Sequence, residues 1–335
     1  MQIRLISSAA ILILLTASLH AEVRTFTSRA GTTIRGELVS VTGDMVTLKK
    51  EDGQNITVKS SNFSLEDQAW LATQKSVATS AVVSDPARAT QAVPFINGLG
   101  MKFVPVQGTN VLFCTTLTRQ SHYDQFTAET AGMTPPAGRS ETGGDKMNYP
   151  QATLSWNKAK AFCDWLTKRE GRTYRLPTDR EWSVAVGIGG LESKDALPAE
   201  LDGRLKGAYP WGSQWPPPNG FGNYCDESYR EFCKKNNYAL NTEVIKGYND
   251  GEVAIGRVEA YKPNKFGLYG MGGNLWQWCE DWYDAAKTQK LLRGGCWDDS
   301  KKERLLSSAR WPNPPDFQET KTDRTGFRCV LTLGP

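Results

Sequence analysis

Apolar and polar residues alternate with a period of two along residues 33–63. The apolar positions of this alternation are Ile34, Leu38, Val41, Met45, Val46, Leu48, Ile56 and Val58. Two polar turns interrupt it, TGD at 42–44 and DGQ at 52–54. A period of two broken by glycine turns predicts antiparallel strands. Residues 22–71 are therefore interpreted as a small all-β barrel of about five strands that ends in a helical turn.

The pattern changes to a helical period after residue 155. Apolar residues recur there at intervals of three and four, which predicts one buried helical face. The residues of this face are Ala159, Phe162, Cys163 and Leu166. Ser155 is placed to cap the helix and Gly171 to end it. A second helix is predicted to start with a capping box between Thr178 and Glu181.

Glycine and tryptophan are concentrated between residues 266 and 283. This composition is unsuited to a helix and predicts a loop followed by a strand, with the tryptophans in the core. His122, in the segment TRQSHYDQF, is expected on an amphipathic helix, where a single histidine is interpreted as structural. The fold class predicted for residues 95–335 is α+β with long ordered loops.

The first 21 residues have the pattern of a secretory signal peptide. Arg4 supplies a positive charge, an apolar run follows at 9–15, and Ala21 is a small residue suited to cleavage. No later stretch approaches the roughly 20 apolar residues of a transmembrane helix. We expect a periplasmic or secreted protein without a transmembrane segment after cleavage; an uncleaved anchor is the alternative.

Residues 72–94 are rich in alanine, serine and threonine. Few large apolar groups are available to order this segment, so it is interpreted as a linker. It divides the chain into a domain at 22–71 and a domain at 95–335. The net charge of +4 is spread without a basic run, which argues against a nucleic-acid partner.

The chain has seven cysteines, which in an exported protein imply disulfides and at least one unpaired thiol. Cys225 and Cys233 flank a short acidic excursion, and their spacing suits a local hairpin bridge. Cys114 and Cys279 fall on predicted buried strands, where a free cysteine behaves as a small hydrophobic residue. Cys296 is either a reactive thiol or is silenced by pairing with Cys279.

Eight segments of the second domain carry a family resemblance in their order and spacing. They are GMKFVPV at 100–106, LSWNKAKAFCDWL at 154–166, YRLPTDREW at 174–182, YPWG at 209–212, NKFGLYGMGGNLWQWCEDWY at 264–283, LLRGGCW at 291–297, SSAR at 307–310 and TGFRCVL at 325–331. Together they resemble the formylglycine-generating enzyme (sulfatase-modifying factor) family, whose fold is related to C-type lectins. Residues 22–71 resemble the SH3-like SLA1 homology 1 domain, and a packing or adaptor role is favoured for them over peptide binding.

The resemblance implies an oxidase that holds copper(I) between two cysteine thiolates, ligands that suit this soft ion. Those cysteines lie three and eight residues after the small residue that ends a Gly-Gly-Ser motif. That residue is Cys296 here, and the two positions carry Asp299 and Arg304. No cysteine follows between 297 and 328, so copper is not expected. A related iron-dependent branch needs three histidines, whereas only His122 remains after signal cleavage, so iron is not expected either.

The resemblance also implies a disulfide between Cys163 and Cys329, and one structural calcium site. The calcium ligands would come from the side chains of Asn223 and Asp250 and from the backbone carbonyls of Tyr224 and Glu252, oxygen ligands that suit this ion. Turns formed by Asn223 and Asp250 are the alternative. A second family calcium site is not expected, because its positions carry Thr116, Gly270 and Gln277.

A ligand groove is expected along the loops after residue 296. Its candidate residues are Trp297, Asp298, Asp299, Arg304, Arg310, Trp311, Asn313 and Asp316. Aromatic, arginine and asparagine side chains on a rigid scaffold are typical of binding sites; for Arg310 and Arg328 a structural role is the alternative. The leading hypothesis is a non-catalytic module that binds a protein, peptide or glycan in the cell envelope. The alternatives are an atypical oxidase that uses Cys296 and a structural envelope component.

Overall fold

The computed structural model describes residues 23–42, 44–79, 83, 85–130, 148–317 and 323–334. The chain divides into two compact units at the bond between Ala81 and Val82. The predicted signal peptide at 1–21 lies outside the described residues. Among the helices that are described, none combines the length and the apolar character needed to cross a bilayer.

The first unit contains an antiparallel sheet whose four strands follow chain order. They are β1 (Val23–Thr27), β2 (Thr33–Thr42), β3 (Met45–Lys50) and β4 (Asn55–Lys59). The strand count is four rather than the predicted five because a 3₁₀ turn at Ser60–Asn62 follows β4, and only a single bridge then joins Ser28 to Phe63. Helix α1 (Leu65–Thr79) follows.

Part of the segment predicted as a linker, residues 72–94, has ordered structure, and the division between the two units lies within it. Helix α1 continues to Thr79, and Val83 forms a parallel bridge with Phe95 in the second unit. The Asp85 side chain accepts a hydrogen bond from the Ala87 backbone and caps a 3₁₀ turn. Ala89 is buried in the core of the second unit. These local contacts order a segment whose composition alone could not, so the second unit begins before residue 95.

The second unit mixes helices with two sheets. Its helices are α2 (Gln120–Glu129), α3 (Trp156–Glu170), α4 (Asp179–Val186), α5 (Pro198–Leu201) and α6 (Glu227–Lys235). Its strands are β5 (Phe95–Ile96), β6 (Lys102–Pro105), β7 (Val111–Cys114), β8 (Tyr174–Arg175), β9 (Trp276–Trp282), β10 (Lys290–Arg293), β11 (Arg310–Asn313), β12 (Thr325–Gly326) and β13 (Val330–Thr332). One sheet has the order β5-β6-β7-β13-β8 and the other the order β11-β10-β9-β12.

Local signals in the sequence account for the two best-defined helices. The Ser155 hydroxyl accepts a hydrogen bond from the Lys158 backbone at the start of α3, and Gly171 ends that helix with a φ of 66°. The predicted capping box between Thr178 and Glu181 is present at the start of α4. Both helix predictions are confirmed, because a cap depends only on residues within one turn.

The sheet that contains β9 and β10 positions the candidate site. The predicted loop before residue 276 is confirmed, and β9 begins there with Trp276 and Trp278 almost fully buried. Strand β10 pairs with β9 on one side and with β11 on the other. The loop between β10 and β11, residues 294–309, therefore starts and ends on neighbouring strands.

Candidate functional site

Two glycines direct the start of the β10–β11 loop. Gly294 and Gly295 have φ values of 103° and 76°, a region that side chains with a Cβ atom disfavour. A Cβ atom at Gly295 would also lie 2.8 Å from the Leu305 Cδ2 atom. This turn buries the next residue, Cys296, inside the loop.

Asp299 and Arg304 form an ion pair inside this loop. The Arg304 Nε atom donates to Asp299 Oδ1. The Trp276 indole and the Cys296 backbone N–H donate to Asp299 Oδ2 at 2.8 and 3.0 Å. The Arg304 guanidinium lies over Trp311, with 4.7 Å from its central carbon to the ring centroid. Each partner is therefore held by several contacts, and the two positions that the resemblance assigns to copper thiolates carry opposite charges.

Cys296 is 1% exposed, which argues against the alternative in which its thiol is reactive. Its Sγ atom lies 3.3 Å from Asp299 Oδ2. Burial, and then the charge of Asp299, raise the pKa of the Cys296 thiol well above its usual range. A thiol needs its thiolate form and access to a substrate to react, and this position favours neither.

A groove of about 540 Å³ opens beside the ion pair. Its lining residues are Tyr229, Asn241, Thr242, Trp297, Asp298, Asp299, Ser300, Lys301, Arg304, Trp311 and Arg324. The structure thus brings five of the eight predicted groove residues together in one place. Tyr229, Asn241 and Thr242 were missed, because they come from α6 and the loop after it, which no motif linked to the groove. Arg324 lies in the stretch after residue 296 that was expected to line the groove, but it was not singled out.

Arg310 lies outside the groove. Its side chain has no exposed surface and forms ion pairs with Asp179 and Glu192. Arg293, which is also fully buried, forms an ion pair with the same Asp179 carboxylate. The prediction that Arg310 lines the groove is wrong; as the first residue of β11 it contributes to a buried ionic network. Neither Asn313 nor Asp316 is among the lining residues.

The segment between Cys225 and Cys233 forms a helix rather than the predicted hairpin. Asp226 caps α6 by accepting a hydrogen bond from the Ser228 backbone, and Cys233 lies within the helix. Both cysteines are buried. Burial, followed by the charge of Asp298, raises the pKa of the Cys225 thiol to about 12. The hairpin interpretation failed because it did not recognise Asp226 as a helix N-cap.

Asn223 and Asp250, the two side chains expected to bind calcium, both take part in hydrogen bonds with backbone groups. The Asn223 Nδ2 atom donates to the Ala254 carbonyl at 2.6 Å, which leaves Asn223 Oδ1 buried and without a hydrogen-bond partner among the described residues. Asp250 accepts from the backbone N–H groups of Tyr224 and Glu252 at 2.8 and 2.9 Å. Burial of Asp250, together with the charge of the neighbouring Asp226, raises its pKa to about 7.

A cation fits this arrangement, because it would satisfy the orphaned amide oxygen and would offset the paired carboxylates. Asp226 was missed from sequence; its side chain accepts from the Asp250 backbone at 2.6 Å. Carbonyl and amide oxygens would carry most of the coordination. Within the described part of the chain, no three His, Cys, Asp or Glu side chains group closely enough to hold a metal.

Arg328 occupies the region of the second family calcium site. Its Nε atom donates to Gln277 Oε1 at 2.7 Å, and its NH2 group donates to the Gly270 carbonyl at 3.2 Å. Gln277 also donates to that carbonyl at 2.8 Å. A guanidinium therefore takes up oxygens that a metal would need, and Arg328 has the structural role given as its alternative.

Comparison with known proteins gives this site a family context. The model of the sulfatase-modifying factor enzyme 1-like domain matches residues 44–333. "Inactive C-alpha-formylglycine-generating enzyme 2" of Bos taurus is 31% identical over 62% of this chain and 58% of its own length. "Formylglycine-generating enzyme" of Thermomonospora curvata is 29% identical over 58% of this chain and 59% of its own length.

The chain thus spans less than two thirds of the length of these two relatives. Among solved structures, Treponema denticola variable protein 1 is 16% identical, with a TM-score of 0.46 over 92% of this chain and 99% of that one.

Proposed function

The chain belongs to the family of sulfatase-modifying factor enzyme 1-like domains, and on this premise we propose that it is a non-catalytic member that binds a ligand in its groove. The observation that carries the proposal is the ion pair between Asp299 and Arg304. It stands at the two positions that the family resemblance assigns to the copper-binding cysteines.

The chemistry of the pair argues against copper(I). This soft ion selects thiolate and thioether ligands, whereas Asp299 is a carboxylate already bonded to Arg304, Trp276 and the Cys296 backbone. Arg304 has no lone pair to donate and repels a cation. Cys296 cannot take over, because it is buried beside the Asp299 carboxylate. Among the described side chains of this loop, none supplies a thiolate to the groove.

The relatives include both an inactive and an active formylglycine-generating enzyme, so the choice between the two rests on the residues of this chain. The remaining parts of the proposal have separate support. The signal-like pattern at 1–21 supports a periplasmic or secreted location. The four-stranded sheet of the first unit supports an SH3-like module related to the SLA1 homology 1 domain, here with an adaptor role.

We further propose that one calcium ion is held by Asn223 Oδ1, the Asp250 carboxylate and the carbonyls of Tyr224 and Glu252. The ion would fix the loop that precedes α6 to the loop that carries Asp250. Its role would be structural, since it would complete the coordination of a buried amide oxygen and lower the free energy of the folded state.

The decisive experiment is mass spectrometry of a Cys-x-Pro-x-Arg peptide after incubation with the purified protein, copper(I) and oxygen. We expect the peptide cysteine to remain unchanged beside an active family enzyme as positive control. Conversion of that cysteine to formylglycine would overturn the proposal.

A matched pair of variants tests the assignment of the two positions. Asp299→Cys/Arg304→Cys should create copper(I) binding that the wild type lacks, measured by competition with a chromogenic copper(I) chelator. The control Asp298→Cys/Ser300→Cys places two thiols in the same groove at other positions and should bind copper(I) less tightly. If the wild type competes for copper(I) as well as the first variant does, the ion pair does not exclude the metal.

A further inference from the structure

We infer that the groove binds its ligand through an oxyanion, that is, a carboxylate, sulfate or phosphate group, held by Arg304, Arg324 and Lys301. This inference rests on the binding role proposed above and names the chemistry of the ligand. Nothing in the copper chemistry of the family requires these three cations. The inference follows from the positions of the charged side chains in this groove and from which of the arginine N–H groups already make hydrogen bonds.

In both ion pairs of the groove the arginine is more exposed than its aspartate, although all four residues line the groove. The Asp299 side chain is 7% exposed, whereas its partner Arg304 is 38% exposed. Asp298 and Arg324 form a second pair with the same polarity, 21% against 31%. The guanidinium groups therefore offer a ligand more accessible surface than the carboxylates do.

Arg304 and Arg324 have guanidinium N–H groups that are not used in hydrogen bonds within the described residues. Arg304 uses its Nε atom for Asp299, and Arg324 uses one terminal nitrogen for Asp298. Each retains at least one terminal nitrogen that makes no hydrogen bond within the described residues. The planar guanidinium matches the oxygen geometry of carboxylate, sulfate and phosphate groups.

Arg304 is also fixed in advance. Its guanidinium stacks over the Trp311 and Trp276 rings, at 4.7 and 5.2 Å to the ring centroids, while Asp299 holds its Nε atom. A donor group held in this way loses little conformational entropy when a ligand binds. The site therefore needs little rearrangement to accept an anion.

Lys301 gives the groove its excess of positive charge. It lines the groove and is exposed, and it has no ion-pair partner among the described residues. Because each arginine is balanced by its own aspartate, the lysine charge remains to be neutralised by a ligand. The electrostatic potential of this uncompensated charge attracts an anionic ligand and repels a cation.

The volume of the groove suits an organic group rather than a bare ion. About 540 Å³ falls in the range of small-molecule sites. Tyr229, Asn241 and Thr242 line the same groove as the cations and offer neutral hydrogen-bonding groups. A compact molecule that carries one oxyanion and several hydroxyl groups would use both kinds of partner.

Calorimetric titration of the full mature chain tests the inference. The probes are glucose 6-sulfate, glucose 6-phosphate and glucuronate, with glucose as the neutral control, all at constant ionic strength. We expect saturable binding of at least one anionic sugar, about tenfold tighter than glucose, an energy in the range of a charge-assisted hydrogen bond. The relative affinities of the three probes identify the preferred oxyanion.

Two lysine variants distinguish binding in the groove from nonspecific attraction by the positive surface charge. Lys301→Met should weaken binding of the anionic sugar roughly threefold to fivefold, the upper range for an exposed charge pair. Lys302→Met removes the same charge one residue away, where the ammonium lies 5.2 Å from the Trp215 ring centroid, and should leave the affinity unchanged. Arg304→Lys keeps the charge but loses the planar fork, and should also weaken binding.

Equal affinity for glucose and for the anionic sugars would overturn the oxyanion inference and leave the binding role intact. Equal effects of Lys301→Met and Lys302→Met would overturn it as well, because the binding would then be unspecific. The absence of binding by all three anions would overturn it without any bearing on the peptide assay. Formylglycine formation in that assay would instead overturn the non-catalytic role alone.

Discussion

The sulfur atoms of Cys163 and Cys329 lie 3.6 Å apart. Cys163 is on the buried face of α3, and Cys329 directly precedes β13, so the pair lies between a helix and a sheet. Both residues are fully buried. Both are free thiols in this structure, and their separation exceeds the roughly 2.05 Å of an S–S bond, so the disulfide that the family resemblance implies remains a prediction.

We predict that the protein isolated from an oxidising compartment carries a Cys163–Cys329 disulfide. The bond should stabilise the folded state by about 2–5 kcal/mol, because it closes a long loop in the unfolded chain. Peptide mapping without reduction would detect the linked peptides. A reductant should lower the melting temperature of the wild type more than that of Cys163→Ala/Cys329→Ala, and an equal effect on both would contradict the prediction.

Because Arg310 belongs to a buried ionic network, we expect it to stabilise the fold rather than to bind a ligand. Arg310→Met should lower the free energy of unfolding by about 3–5 kcal/mol, because Glu192 would be left buried without its cation. Chemical denaturation measures this change. The control Arg204→Met, at an exposed position, should change stability by less than about 0.5 kcal/mol; a similar small effect of Arg310→Met would show that the network contributes little.

His122 should make stability depend on pH. Its burial, with a smaller effect from the charge of Arg119, lowers its pKa to about 4, whereas an unfolded histidine has a pKa near 6.5. The unfolded state therefore binds more protons between these values. The contribution of His122 is complete above about pH 6.5 and is lost as the pH falls through 4, by up to about 3 kcal/mol.

Chemical denaturation at several pH values tests this dependence in the mature protein. His122→Gln should show a flatter decline of unfolding free energy between pH 6.5 and 4 than the wild type. Carboxylates contribute in both proteins, so the difference between the two curves is the informative quantity. Parallel curves would mean that the imidazole titrates alike in the folded and unfolded states.

Calcium should stabilise the mature protein. After treatment with a chelator, addition of calcium at about 100 times its dissociation constant should raise the free energy of unfolding by about 2.7 kcal/mol. Asp250→Ala should abolish this gain, whereas Asp195→Ala, at an exposed acidic position, should retain it. Thermal unfolding with magnesium as a second control measures the effect; equal gains in both variants would place calcium elsewhere.

Local features of the fold could be predicted from sequence, and contacts between distant segments could not. The cap at Ser155 and the box between Thr178 and Glu181 depend on neighbours within four residues. The burial of Arg310 depends on Asp179, which lies 131 residues earlier in the chain. No periodicity or spacing encodes such a contact, so an arginine that was expected on a loop was assigned to the groove.

The groove itself shows the same division. Trp297, Asp298 and Asp299 were predicted because they follow one motif along the chain. Tyr229, Asn241 and Thr242 reach the groove from α6 and the loop after it, and the composition of that segment gave no reason to place it there. The oxyanion inference therefore became possible only when the charges of separate segments were placed side by side.

The position of β13 bears on the order in which the chain can fold. This strand lies between β7 and β8 in the five-stranded sheet, and Val330 pairs with both Phe113 and Arg175. Two strands made early in synthesis thus lack their common neighbour until residues 330–332 have been added. Contacts of such long sequence separation form slowly, so the second unit should remain incompletely folded until synthesis of this strand is complete.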